Sequence, residues 1–199
     1  MNTRAGWPTR VVWRCLAITL PMLLTLPAVA AGASVAPQHV IWADLVNASA
    51  VPGAVRKAGG CDGCADAGAT SAQRITGGDG YVEWTMREVG PLRFVGLTDE
   101  TAGINPDRFA YAIRMQAGRA EVREHGVYRA DVTFTRGDVF RIAVESGVAS
   151  YAKNGVQFYR SRVAPSFPLV VSASLLGRDS SITNVVIALG DRDVSQGGR

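Results

Sequence analysis

The chain has 199 residues, 47% of them apolar, enough for one sizeable core, and no long low-complexity tract that would demand a second domain. Of its formal net charge of +4, three units lie in the first thirty residues. Removing Arg4, Arg10 and Arg14 from the 21 bases leaves 18 against 17 acids, which excludes a nucleic-acid reading of the pI.

Residues 1–30 hold those three arginines and no acid, then an apolar run from Cys15 that ends in Ala28-Val29-Ala30. That is the layout of a secretory signal peptide, with cleavage expected near Ala30 or Ala33. The alternative is an uncleaved membrane anchor, against which Pro21 and Pro27 interrupt a run barely long enough to span. Cys15 lacks the preceding small residues of a lipidated cysteine. Secretion, or display in the periplasm or at the cell surface, follows, with membrane contact only through an uncleaved signal segment.

Residues 31–39 read as a linker and 40–190 as one β domain. Residues 40–47 form a first expected strand, with Ile41, Ala43 and Leu45 alternating against Trp42 and Asp44. Residues 51–57 pair back as a second. The sequon Asn47-Ala48-Ser49 carries little weight without a host that uses it. Cys61 and Cys64, in a loop rich in Gly and Asp, most simply form a local disulfide in an oxidising compartment. A redox pair would open a helix, and a zinc site would need two more ligands, which His39 and His125 do not supply at recognisable spacing. Both alternatives stay open.

Residues 70–76 make a third strand, and Gly77-Gly78-Asp79-Gly80 a turn rather than a phosphate cradle, since residues 81–86 alternate as a strand and not as a helix. Residues 91–98 follow, then the polar loop 99–107, the kind of segment that carries binding residues on a rigid scaffold. Residues 109–116 and 120–125 form a hairpin around Gly118, and 128–135 leads to a meander. In Val139–Glu145, Phe140, Ile142 and Val144 face one way and Arg141 the other. Ser146-Gly147 turns the chain into Val148–Lys153, and Asn154-Gly155 into residues 156–159. Residues 165–175 and Ser181–Leu189 complete the strand set, and 191–199 reads as a disordered tail. Strands at this spacing indicate an all-β sandwich or barrel.

Gly137-Asp138-Val-Phe-Arg-Ile-Ala-Val and Val148-Ala-Ser-Tyr-Ala-Lys-Asn154-Gly155 resemble a segment of SPRY-type domains. They are also similar to bacterial secreted modules of the concanavalin A-like lectin/glucanase superfamily. Ala67-Gly-Ala-Thr-Ser71, Gly78-Asp-Gly-Tyr-Val-Glu83, Val95-Gly-Leu97, Tyr111-Ala-Ile113 and Glu124-His-Gly126 fit in the same order. The resemblance implies an antiparallel two-sheet jelly-roll sandwich. Its core would draw on Ile41, Val82, Trp84, Phe94, Ile113, Phe140, Ile142, Val144, Tyr151, Leu169, Val171, Ile182 and Val186.

Glucanases of that superfamily carry two glutamates on one strand around an aspartate, because retaining hydrolysis needs acid and nucleophile about 5 Å apart. This chain lacks that array. Glu121 and Glu124, three apart on a strand, face opposite ways, and Glu83 stands alone between Val82 and Trp84. His125 lies near no nucleophile elbow. Asp99, Glu100, Asn105 and Asp107 offer oxygens to calcium, but their spacing matches no calcium loop, so no metal or cofactor is assigned.

Binding remains. The expectation is a non-catalytic module, carbohydrate-binding first, with a structural or adhesive domain for protein partners as the alternative and a divergent glycoside hydrolase third. The ligand-binding residues expected are Asp99, Asn105, Asp107, Arg108, Lys153, Asn154 and Tyr159. Of the aromatics, Trp84 and Tyr151 belong to packing, while Tyr81, Tyr128 and Tyr159, at strand ends, have the better prospect of exposure.

Overall fold

A computed structural model describes residues 1–2 and 36–190 of the chain. The expected signal segment, beyond Met1 and Asn2, and the tail 191–199 lie outside the described residues. No helix among the described residues is long and apolar enough to cross a membrane.

The strands are β1 (Gln38–His39), β2 (Trp42–Val46), β3 (Ala48–Val51), β4 (Ala54–Lys57), β5 (Gly68–Ile75), β6 (Gly80–Thr85) and β7 (Arg93–Thr98). Two 3-10 turns, Glu100–Ala102 and Pro106–Arg108, separate β7 from β8 (Tyr111–Gln116). Then come β9 (Arg119–Glu124), β10 (Val127–Thr133), β11 (Val139–Glu145), β12 (Val148–Lys153), β13 (Val156–Arg160), β14 (Leu169–Leu175) and β15 (Ser181–Leu189). All pair antiparallel. One sheet runs β13-β12-β11-β6-β15-β4-β3 with β1 beside β15; the other runs β10-β9-β8-β7-β14-β5-β2.

Local chemistry explains the central meander. Phe140, Ile142 and Val144 on β11 and Ala149 and Tyr151 on β12 are all fully buried, the period-two pattern of strands covered on one face. Asn154 and Gly155 both take positive φ, 51° and 78°, which the tight two-residue hairpin needs. Together with Val82 and Trp84 of β6, and with Val95, Ile113, Met115, Val122 and Val171 of the facing sheet, they form one core between the layers. The expected core residues lie there, with three exceptions.

Ile41 is 48% exposed, and Trp42 is buried in its place. Asp44 at φ 45° breaks the alternation of β2, and the register with β5 shifts between Ala43 and Val46, so Leu45 also stays outside. Val186 is half-buried, because Asn184 at φ 54° bulges β15 and brings Val185 and Ile187 inward instead. Phe94 is buried on the outer face of its sheet, in a second cluster with Ala102, Phe109, Ala112 and Leu176 beneath the loop after β7. Gly96 makes that close cover possible: a Cβ there would collide with the Tyr111 carbonyl and crowd Phe109. At the start of the domain, residues 38–39 already pair with β15, and the expected single strand 51–57 is the second half of a β3–β4 hairpin.

Each end of the core holds a buried ion pair. Arg93, fully buried, meets Glu88 at 3.1 Å, and Glu88 accepts from Ser181, tying the β6–β7 loop to β15. At the other end Glu124, 1% exposed, takes Arg129 Nε at 3.0 Å and the Tyr151 hydroxyl at 3.2 Å.

Candidate functional site

Because Val82, Phe140, Ile142, Ala149 and Tyr151 turn inward, the residues between them must turn out. The registers fix who stands beside whom. One row across the outer face reads Arg160, Ser150, Ala143, Tyr81 and Ala188, from β13 to β15; the next reads Gln157, Ala152, Arg141, Glu83 and Val186. Small residues thus occupy the outer face of β12, with Ala143 beside them on β11. Larger polar ones stand on either side, Arg160 and Gln157 against Tyr81 and Arg141.

The result is a shallow trough between walls about 14 Å apart, three strand spacings. Two cavities open along it near the β11–β12 turn. One, of 360 Å³, is lined by Asp79, Tyr81, Glu145, Ser146 and Ala188 among others. The second, of 150 Å³, is lined by Glu145, Val148, Ser150, Gln157 and Arg160. Arg141 stacks over Tyr81, its Cζ 4.0 Å from the ring centroid, and holds Glu83 Oε2 at 2.7 and 2.9 Å. Asp79 accepts the Ser146 amide at 2.8 Å and fixes the turn. The trough therefore offers planar guanidinium, amide and phenol groups on a rigid sheet, a donor and acceptor set suited to hydroxyl-rich ligands.

The structure separates the residues expected from sequence to bind ligand. Asp99, Asn105, Asp107 and Arg108 lie at one end of the sandwich; Lys153 and Asn154 lie at the other, where Lys153 Nζ donates to the Thr133 carbonyl at 3.0 Å. Seven residues of β11 span the distance, roughly 23 Å. Several of these side chains have local partners. Asp99 accepts from the Thr101 hydroxyl and amide, the first of which chiefly holds its carboxyl below the usual value. Asn105 Oδ1 caps Asp107 N at 3.1 Å, and Arg108 donates to Thr101 Oγ1 at 2.9 Å. Asn154 accepts from Val139 N and donates to Asp138, both at 2.8 Å. Tyr159 packs against the buried Tyr151 with ring centroids 5.6 Å apart. An extra residue, Phe158, sets that orientation, because β13 shifts register between its partners Tyr151 and Ala152.

Arg160, Gln157, Glu145 and Ser150 escaped the sequence reading. Alternation against Ala149 and Tyr151 would have put Ser150 outside, but nothing local placed β13 on one side of it and β6 beyond β11 on the other.

Cys61 and Cys64 are joined in a disulfide, their Cα atoms 5.5 Å apart. Asp66, close enough to both sulfurs for a metal cluster, instead accepts from Cys61 N at 2.9 Å and pairs with Lys57 at 3.0 Å.

No protein-family model matches the chain, and no curated protein does. Solved structures do. The PSpry domain of TRIM65 superposes with a TM-score of 0.56 at 12% identity, covering 73% of this chain and 88% of that one. The chain has the concanavalin A-like jelly-roll fold. The carbohydrate recognition domain of Emp46p, in its potassium-bound form, gives 0.52 at 11% identity over 74% of this chain and 88% of that one. The VIP36 exoplasmic/lumenal domain bound to Ca2+ and Man3GlcNAc gives 0.51 at 9% over 74% and 82%. At such identities the likeness is one of fold, and jelly rolls of this type host unrelated functions, so function has to be argued from this chain's own surfaces.

Proposed function

We propose that the chain is a secreted or surface-displayed, non-catalytic carbohydrate-binding module that seats a saccharide in the trough between Tyr81 and Arg160. The observation that carries this reading is the pair of cavities that share Glu145, one lined by Tyr81 and the other by Ser150, Gln157 and Arg160. The Emp46p carbohydrate recognition domain and the Man3GlcNAc-bound domain of VIP36 support it at the level of fold. Against hydrolysis, Glu124 is inside the core while Glu121 is on the outer face with Arg114 and Arg123, so the two cannot act on one bond.

A glycan array with Tyr81→Ala and Arg160→Ala tests the reading. Signal on a defined set of glycans that both variants lose supports it; signal that survives both variants rejects the trough.

A second reading, a protein-binding surface, rests on a different observation. Ile41, Leu45, Val46 and Val51 are 43 to 64% exposed on β2, β3 and the residue before β2, and β2 and β3 are the last strands of their sheets. Open edges with exposed apolar side chains are sites where another chain can pair. Silence across the array would favour it.

A further inference from the structure

The outer face of the β6-containing sheet has a second concavity, at the end away from the β11–β12 turn. It measures 420 Å³ and is lined by Ser49, Ala50, Val51, Ala54, Val55, Arg56, Arg87, Ser181 and Thr183. The alanines and valines of the β3–β4 hairpin supply an apolar wall, and Ser49, Ser181 and Thr183 supply hydroxyls. Ser181 Oγ gives its proton to Glu88 at 2.6 Å and Thr183 Oγ1 faces the Thr85 carbonyl at 3.3 Å. Those two hydroxyl oxygens therefore present lone pairs, which suit the O–H groups of a ligand.

The charge is one-sided. Arg56 and Arg87 are both exposed, both line the groove, and neither has an acidic partner among the described residues, while no acid lines the groove. By contrast, on the same face Arg141 is neutralised by Glu83. Two unneutralised guanidinium forks beside apolar surface and acceptor hydroxyls match a ligand unit with a carboxylate, an apolar ring face and free hydroxyls.

We infer that this groove takes the carboxylate of an acidic sugar unit, so that the module selects carboxylated glycans over neutral ones. The inference rests on the saccharide reading above. The two concavities share one sheet face: Thr183 pairs with Thr85 on β6, four residues from Tyr81, about 13 Å along the strand. An oligosaccharide lying along β6 reaches both.

The test is titration calorimetry of the full chain with oligogalacturonate and hyaluronan fragments, each beside its methyl-esterified form, which keeps the sugar and removes the charge. The acids bind about tenfold or more tighter than the esters at low salt, and the preference shrinks as salt rises. Arg56→Ala with Arg87→Ala brings acid and ester within about twofold while ester binding persists, and Arg56→Lys with Arg87→Lys retains part of the preference. Both arginines are exposed and have no acidic partner among the described residues, so these variants keep the fold. Equal affinity for acid and ester, or a preference that survives the double alanine variant, overturns the inference. Neutral-glycan binding that Tyr81→Ala abolishes, with no binding of the acids, overturns it and leaves the saccharide reading standing. Silence of wild type toward every glycan overturns both.

Discussion

The Tyr151 hydroxyl on β12 donates to Glu124 Oε1 on β9 across 3.2 Å, a hydrogen bond between the inner faces of the two sheets. Glu124 is 1% exposed, and its other oxygen is held by Arg129. Tyr151→Phe would keep the ring packing and leave that carboxylate short of a donor. A loss of about 1–3 kcal/mol in urea unfolding is expected, with glycan binding unchanged. A change below about 0.5 kcal/mol would show that water or Arg129 satisfies Glu124 without the tyrosine.

Alkaline stability depends on the same end of the core. Burial first, and the nearby Glu124 second, push the Tyr111 phenol up to about 12, and its hydroxyl donates to the Val163 carbonyl at 3.0 Å. Burial moves Tyr151 in the same direction. The folded state thus favours the neutral phenol, so this stabilisation is complete below the ordinary value of 10 and declines as pH rises through 12. Urea midpoints should fall between those pH values, and Tyr111→Phe should flatten the fall. A midpoint independent of pH up to 12 would contradict the assignment.

Asn154 gives a prediction that separates scaffold from ligand contact. Its amide bridges Val139 N and Asp138, and its positive φ closes the hairpin. Asn154→Ala should cost about 1–2 kcal/mol and reduce amide protection at Val139. Unchanged stability with lost glycan binding would make Asn154 a ligand contact instead. The bond from Asn154, then that from Thr135 N, holds the Asp138 carboxyl below its ordinary range. Its contribution is present above that range and lost as pH falls through the lowered value, so hairpin protection should weaken under acid and not at neutral pH.

Lys57 holds the disulfide loop. Its ammonium, with the side chain 5% exposed, donates to Asp66 and to the carbonyls of Cys61, Leu175 and Leu176 within 3.1 Å. Lys57→Met would strip one cation from a cage of oxygens, and a loss of roughly 2–4 kcal/mol is expected by thermal or urea unfolding. Reduction of Cys61–Cys64 should cost less, about 2 kcal/mol for so short a loop. If reduction proves the more damaging, the loop depends on the disulfide rather than on the lysine.

The bounds of two strands of the central meander and of the last strand were readable: Val139–Glu145, Val148–Lys153 and Ser181–Leu189 run as alternation and turn residues predict. Those signals are local, a side-chain period of two and residues that tolerate positive φ. Where the period breaks, reading failed. Phe158 and Asn184 each interrupt a strand, and so alternation misplaced Val186 and the orientation of Tyr159. Ile41 was misplaced by parity, since a period of two fits either Ile41 or its apolar neighbour Trp42 facing inward, and the fold buries Trp42.

The residues by themselves determined an all-β chain of short antiparallel strands, because hydrophobic alternation and turn chemistry act over a few neighbours. Only the tertiary structure decided which strands lie side by side. That choice set Tyr81 and Arg160 three strands apart on one sheet face, brought Arg56 and Arg87 to one groove, and moved the polar loop 99–107 to the far end from Asn154. Strand order is settled by burying two whole inner faces against each other, a collective free energy that no short stretch of sequence expresses.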